Sequence, residues 1–197
     1  SLANASSNTN DAAGDTYIAN SIQNLIGTGL ADTLAGDGNA NRLEGSNGND
    51  NLNGDAGNDI LLGGADNDSL DGGLGDDNLD GGLGDDILIG GAGADVFTGG
   101  AGSDTVDYFS INTALTIAVL GTSGGTGDAS GDVIGQDIEI IQGANANTTF
   151  LAGSRTNTTT YVGTAGKVNT VSYARLTGTT GVVVNMGTQT ANSNAAV

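Results

Sequence analysis

One large apolar residue recurs every nine positions between residues 34 and 106, flanked by residues of mixed polarity. Successive side chains of a β-strand alternate between its two faces, so one apolar residue in a short strand points inward while its two neighbours point outward. Repetition at a fixed period is typical of solenoid folds. The pattern therefore predicts short stacked strands around a narrow core. The repeating apolar residues are Leu34, Leu43, Leu52, Leu61, Leu70, Leu79, Leu88, Phe97 and Val106.

Glycine and aspartate keep the same nine-residue phase. A loop that doubles back uses left-handed backbone angles, which glycine adopts without a Cβ clash. A disordered Gly/Asp-rich linker would not hold three positions in register. Each nonapeptide begins at Gly27, Gly36, Gly45, Gly54, Gly63, Gly72, Gly81, Gly90 or Gly99. The sixth positions are Asp32, Asn41, Asp50, Asp59, Asp68, Asp77, Asp86, Asp95 and Asp104.

The best copies read GGLGDDNLD (72–80), GGLGDDILI (81–89), GGAGADVFT (90–98) and GGAGSDTVD (99–107). They resemble the RTX, or haemolysin-type, calcium-binding repeat GGxGxDxUx, in which U is large and apolar. The resemblance covers residues 27–107 and implies an all-β fold, a right-handed parallel β-roll. Each nonapeptide would give a six-residue turn and a three-residue strand, with two nonapeptides in one rung.

The same resemblance implies calcium bound between stacked turns, held by turn carbonyls and sixth-position carboxylates. Calcium is a hard cation that takes six to eight oxygen ligands, so this donor set suits it. The carboxylates are Asp32, Asp50, Asp59, Asp68, Asp77, Asp86, Asp95 and Asp104. The glycines are Gly63, Gly72, Gly73, Gly75, Gly81, Gly82, Gly84, Gly90, Gly91, Gly93, Gly99, Gly100 and Gly102.

Charge explains why such a roll needs cations. Residues 27–107 hold 17 acidic residues and one basic residue, Arg42, for a net charge of −16. With rungs about 4.8 Å apart, sixth-position carboxylates form two columns, and each neighbouring pair repels by about 3 kcal/mol at a dielectric of 20. A calcium ion in each gap replaces this repulsion with attraction between the ion and the two carboxylates. The columns offer four and three gaps, so we expect at most seven ions, and about five because Leu30 and Asn41 weaken the first repeats.

The amino-acid composition argues against several other classes of function. The chain has no His or Cys, which removes the usual zinc ligands and the nucleophilic triads. A net charge of −19 disfavours nucleic acid and anionic membranes as partners, and no apolar run is long enough to span a bilayer. Paired carboxylates could serve glycoside hydrolysis, but here they fall in the metal columns. We therefore expect no enzymatic activity in this chain.

The flanks repeat at a longer interval. The segment DAAGD at 11–15 recurs as DASGD at 128–132, which indicates a tandem unit of about 117 residues. We divide the chain into an entry segment (1–26), the roll (27–107) and a β-rich, degenerate solenoid continuation (108–197). In that continuation Thr148 and Asn169 stand where Asp32 and Asp104 do, so we expect fewer or no ions there. A separate β-sandwich at 108–197 is the alternative.

These patterns favour a calcium-binding structural module of a large secreted or cell-surface bacterial protein, of the adhesin or surface-layer type. Proteins with RTX-like repeats generally leave bacteria unfolded by type I secretion, although no secretion signal can be assigned here. The alternative is the calcium module of a secreted enzyme or toxin with its catalytic domain elsewhere. The chain does not begin with Met, so we expect a fragment. Expected partners are calcium, and neighbouring copies or an unidentified surface or host ligand.

Overall fold

A computed structural model of the chain describes residues 23–119, 125–152 and 159–172. These residues form short parallel strands that wind into a β-solenoid of about 8 turns. Besides the strands, the described residues contain one short 3-10 turn, Gly127–Ala129. No helix in these three ranges is long and apolar enough to cross a membrane.

The strands follow one another at nearly even spacing along the chain. In chain order they are β1 Asn24–Ile26, β2 Thr33–Ala35, β3 Arg42–Asn47, β4 Asn51–Asn53, β5 Ile60–Ala65, β6 Ser69–Leu74, β7 Asn78–Leu83, β8 Ile87–Ala92, β9 Val96–Ala101, β10 Thr105–Asp107, β11 Leu115–Ala118, β12 Val133–Ile134, β13 Ile140–Gln142, β14 Thr148–Leu151, β15 Thr160–Val162 and β16 Asn169–Ser172.

Odd and even strands of the roll separate into two facing sheets. The first has the order β1-β3-β5-β7-β9-β12, and the second has the order β15-β13-β10-β8-β6-β4-β2. Partners within the roll are eighteen residues apart, as in Leu61 with Leu79. Two nonapeptides therefore make one rung, as the sequence predicts, and the parallel β-roll is confirmed.

The core is the stack of repeating apolar side chains, which occupy the eighth position of each nonapeptide and lie between the two sheets. Each side chain from Leu43 to Val106 in this series is at most 1% exposed. Burying one such side chain contributes about 1.5–3 kcal/mol, so the stack supplies most of the apolar stabilisation of the roll. The first member, Leu34, is only partly buried because the stack ends beside it.

The central strands are longer than the three residues that the sequence suggests. β5 to β9 have six residues each, because they run on through the first three positions of the following turn. Gly64 pairs with Gly82 and Gly73 with Gly91, since residues without a Cβ let successive rungs approach closely enough to continue the pairing. Only three residues, such as Gly75–Asp77, then link one strand to the next.

Beyond β10 the chain no longer keeps the eighteen-residue interval. After β11 it returns to the roll, where β12 pairs with β9 and β13 with β10, and β11, β14 and β16 form a third parallel sheet. Of the described strands in this part, β12 therefore extends the first sheet of the roll, and β13 and β15 extend the second. The domain boundaries at 26 and 107 stay predictions. Of the tandem motif, residues 11–15 lie outside the described residues.

Candidate metal centre

Two columns of buried aspartates follow the two turn edges of the roll. Each aspartate ends a turn and directly precedes a strand, so the repeat places successive carboxylates above one another. The seven sixth-position aspartates from Asp50 to Asp104 are each at most 3% exposed. One column contains Asp32, Asp50, Asp68, Asp86 and Asp104, and the other contains Asn41, Asp59, Asp77 and Asp95.

One oxygen of each carboxylate is used by the stack itself. The main-chain N–H of Asp59 donates to Oδ1 of Asp77 over 2.8 Å, and the N–H of Asp77 donates to Oδ1 of Asp95 over 2.9 Å. The same bond recurs along the other column. This hydrogen bond fixes the orientation of the seven column carboxylates other than Asp32 and leaves their second oxygen, Oδ2, pointing into the gap between rungs.

The second oxygens are buried and have no hydrogen-bond partner. An unsatisfied buried polar atom costs about 1–3 kcal/mol, and a charged one costs more, so a regular series of them indicates a series of cation-binding sites. The unpartnered atoms are Oδ2 of Asp50, Asp59, Asp68, Asp77, Asp86, Asp95 and Asp104.

The first glycine of each turn lines the same gap. A Cβ added at Gly54 would strike Oδ2 of Asp59 and lie 2.5 Å from the carbonyl oxygen of Gly72 in the next rung. A Cβ at Gly63 would likewise meet Asp68 and the Gly81 carbonyl. Oxygens of two rungs thus converge on a space that only glycine leaves open.

Calcium fits this arrangement. Carboxylate and carbonyl oxygens are the ligands it takes, and glycine keeps room for it. Within the described ranges no three acidic side chains lie close enough together to form a metal site by themselves. Main-chain oxygens would therefore have to complete each coordination shell.

The remaining predicted glycines hold the rungs close together. Gly73, Gly82, Gly91 and Gly100 at the second position, and Gly75, Gly84, Gly93 and Gly102 at the fourth, all have positive φ. The carbonyl oxygen of Gly73 faces the position where Gly91 would carry a Cβ, and that of Gly75 faces Gly93. These carbonyls point along the stack toward the next rung. Their role as ligands, like that of the first-position glycines, stays a prediction.

The columns are electrostatically unfavourable without a cation. Burial, with smaller effects from neighbouring carboxylates, raises the pKa of Asp68, Asp77 and Asp104 to about 6 and that of Asp95 to about 7. In the described part of the chain the one ion pair joins Arg42 to Glu44 over 2.8 Å. Among the described residues, no basic side chain therefore forms an ion pair with a carboxylate of the columns.

The first rungs differ from the rest. Oδ2 of Asp32 accepts hydrogen bonds from the main-chain N–H of Thr28 at 2.6 Å and from its hydroxyl at 2.9 Å. Asp32 is thus the only predicted carboxylate ligand absent from the unpartnered series. Asn41 instead places its Oδ1 at the gap beside Gly36, where it accepts the main-chain N–H of Asp37 over 2.7 Å, and buries an Nδ2 that has no partner.

Sequence reasoning missed two acidic residues that extend the columns. The N–H of Asp95 donates to Oδ1 of Asp132, and the N–H of Asp104 donates to Oε2 of Glu139, each over 3.0 Å. Both residues lie beyond the nonapeptides, separated from their neighbours by 37 and 35 residues. The one sequence signal that could have identified either residue was the DASGD motif, which ends at Asp132.

Thr148 and Asn169 lie beside the first glycines of later turns. A Cβ at Gly143 would lie 2.8 Å from Oγ1 of Thr148, and one at Gly163 would meet the Asn169 amide. They occupy the place that aspartate has in the roll, but they carry no charge. The expectation of fewer or no ions there stays a prediction, and residues 153–158 between them lie outside the described ranges.

Comparison with known families agrees with this geometry. A family model described as the RTX calcium-binding nonapeptide repeat (4 copies) matches residues 26–61, 54–88 and 80–108. A search of the curated proteins gave no match. The resemblance seen in the sequence is confirmed over the matched residues. Residues 26–108 of this chain, somewhat less than half of its length, are therefore RTX calcium-binding nonapeptide repeats.

Proposed function

We propose that this chain is a calcium-dependent structural module of a large secreted or cell-surface bacterial protein, of the adhesin or surface-layer type. The observation that carries the proposal is the series of seven buried Oδ2 atoms without partners, aligned in two columns. Calcium between the rungs would satisfy these oxygens and neutralise the columns. About five ions, and at most seven, would fill the gaps between repeats.

Calcium binding would then drive folding. Extracellular calcium modules commonly bind at about 10⁻⁴–10⁻³ M, far above the calcium level of resting cytosol. A chain whose columns repel would stay open inside the cell and close outside it. The free energy of calcium binding would become free energy of folding.

We assign no catalytic role to this chain, because its buried carboxylates face the gaps between rungs. The alternative, a calcium module of a secreted enzyme or toxin, rests on the same calcium chemistry. The reading frame of the complete protein separates the two. Many further solenoid repeats support the first proposal, whereas an HExxH motif or a carbohydrate-active domain supports the second.

Circular dichroism during a calcium titration tests the proposal. We expect a coil spectrum after chelation, which changes to a β spectrum near millimolar calcium. Magnesium should not replace calcium, because it demands strict octahedral geometry and loses water reluctantly. A chain that shows the same β spectrum with chelator and with calcium would refute calcium-coupled folding.

A further inference from the structure

The last turn of the roll stacks on a segment that is not a nonapeptide. The main-chain N–H groups of Glu139 and Ile140 donate to the carbonyl oxygen of Asp104 over 3.2 and 2.9 Å. In return, the N–H of Asp104 donates to Oε2 of Glu139, and that of Gly100 donates to Oδ2 of Asp137, each over 3.0 Å. Residues 135–139 therefore serve as the next rung above turn 99–104.

This junction keeps the oxygen arrangement of the repeats. A Cβ at Gly99 would lie 2.5 Å from Oδ2 of Asp104 and 2.7 Å from the carbonyl oxygen of Asp137. Gly63 has the equivalent neighbours, with the Gly81 carbonyl at 2.6 Å. The Asp104 side chain is 0% exposed and its Oδ2 has no partner. A buried carboxylate oxygen thus points into the junction, beside a carbonyl oxygen of the rung above.

The end of the other column is closed differently. A Cβ at Gly90 would lie 2.7 Å from the Phe97 ring. Oδ2 of Asp132, the next residue in that column, accepts a hydrogen bond from the Tyr108 hydroxyl. This column therefore ends at the Phe97 ring and the Tyr108 hydroxyl donor, whereas the first column ends at oxygens of Asp104 and Asp137.

We propose that one further calcium ion binds at the junction between Asp104, the carbonyl oxygen of Asp137 and the carboxylate of Glu139. Two carboxylates balance the charge of the ion, and the all-oxygen donor set suits a hard cation. The ion would fasten β12 and β13 to the roll, so that the segment after the nonapeptides orders only with calcium. This inference rests on the proposed calcium-coupled folding and adds a site between the last matched repeat and a segment beyond it, which contributes Asp137 and Glu139.

Counting bound calcium on the full chain tests the site. Glu139→Gln keeps an oxygen that can accept the Asp104 N–H but removes the charge, so we expect one bound ion fewer. Gly99→Ala fills the space with a methyl group at an ordinary backbone angle and should remove the same ion. Asp128→Asn is the control, because it removes an equal charge from an exposed residue. We expect this variant to bind as many calcium ions as the wild type.

Hydrogen exchange at the Glu139 and Ile140 amides gives a second measurement. Calcium should protect these amides in the wild type and protect them less in Glu139→Gln at the same calcium concentration. Equal calcium counts in wild type and both variants, with equal amide protection, would overturn the junction site while leaving the repeats intact. A wild-type chain that binds no calcium would overturn the proposed function as well.

Discussion

Asp77 lies in the middle of its column, so its replacement by asparagine changes two gaps at once. Its Oδ1 accepts the N–H of Asp59, and its own N–H donates to Asp95. Asparagine keeps the Oδ1 acceptor and the side-chain shape. The charge of the buried and unpartnered Oδ2 is what disappears.

Two opposing effects set the size of the change. Loss of a partner from a buried ion pair costs about 3–5 kcal/mol, and calcium loses such a partner in each gap. Relief of carboxylate repulsion about 5 Å away returns about 3 kcal/mol per neighbour. The balance is about 0–2 kcal/mol per gap, and its middle value of about 1 kcal/mol corresponds to a roughly 5-fold loss of calcium affinity in each of the two gaps.

The assay is a calcium titration followed by circular dichroism and calorimetry, with Asp76→Asn as the matched control. Asp76 is the neighbouring residue, but it is exposed and its Oδ1 accepts the Ala94 N–H over 2.9 Å. Its replacement removes the same charge and should change the midpoint less than twofold. Equal midpoints for Asp77→Asn and the wild type would show that the column does not hold calcium.

Three further changes should follow from the same geometry. Asn41→Asp puts a second carboxylate oxygen in place of the unpartnered Nδ2, so calorimetry should show one more ion or a tighter first site. Leu79→Ala empties a fully buried position and should lower the free energy of unfolding in calcium by about 2–5 kcal/mol, whereas Leu83→Ala, 60% exposed, should change urea unfolding by less than 0.5 kcal/mol. Acid should partly replace calcium: because the pKa of Asp95 is raised from 3.8 to about 7 in the folded chain, proton binding stabilises the metal-free fold below about pH 4, and this stabilisation is lost as pH rises through 7. Circular dichroism in chelator should show more β structure at low pH, and an unchanged spectrum from pH 4 to 8 would contradict this.

The roll could be predicted from sequence because it is locally periodic. Three positions in phase set the strand, the turn and the carboxylate of each nonapeptide, and identical rungs stack with identical spacing. Leu61, Leu79 and Asp77 therefore lie where the period places them. The six-residue length of the strands was not predicted. It depends on pairing such as that of Gly64 with Gly82, and therefore on how closely neighbouring rungs approach. This distance cannot be inferred from the sequence of a single repeat.

The amino-acid sequence by itself determined the family, the two columns and the acidic charge that calls for calcium. Only the tertiary structure decided where the columns end, because the spacing to the next rung changes after residue 107. The residue that stacks on Asp104 then depends on the path of the intervening chain, which brings Glu139 there from 35 residues away. The Thr28 contacts that satisfy Asp32 were equally invisible, since they arise from side-chain geometry within one turn and not from the period.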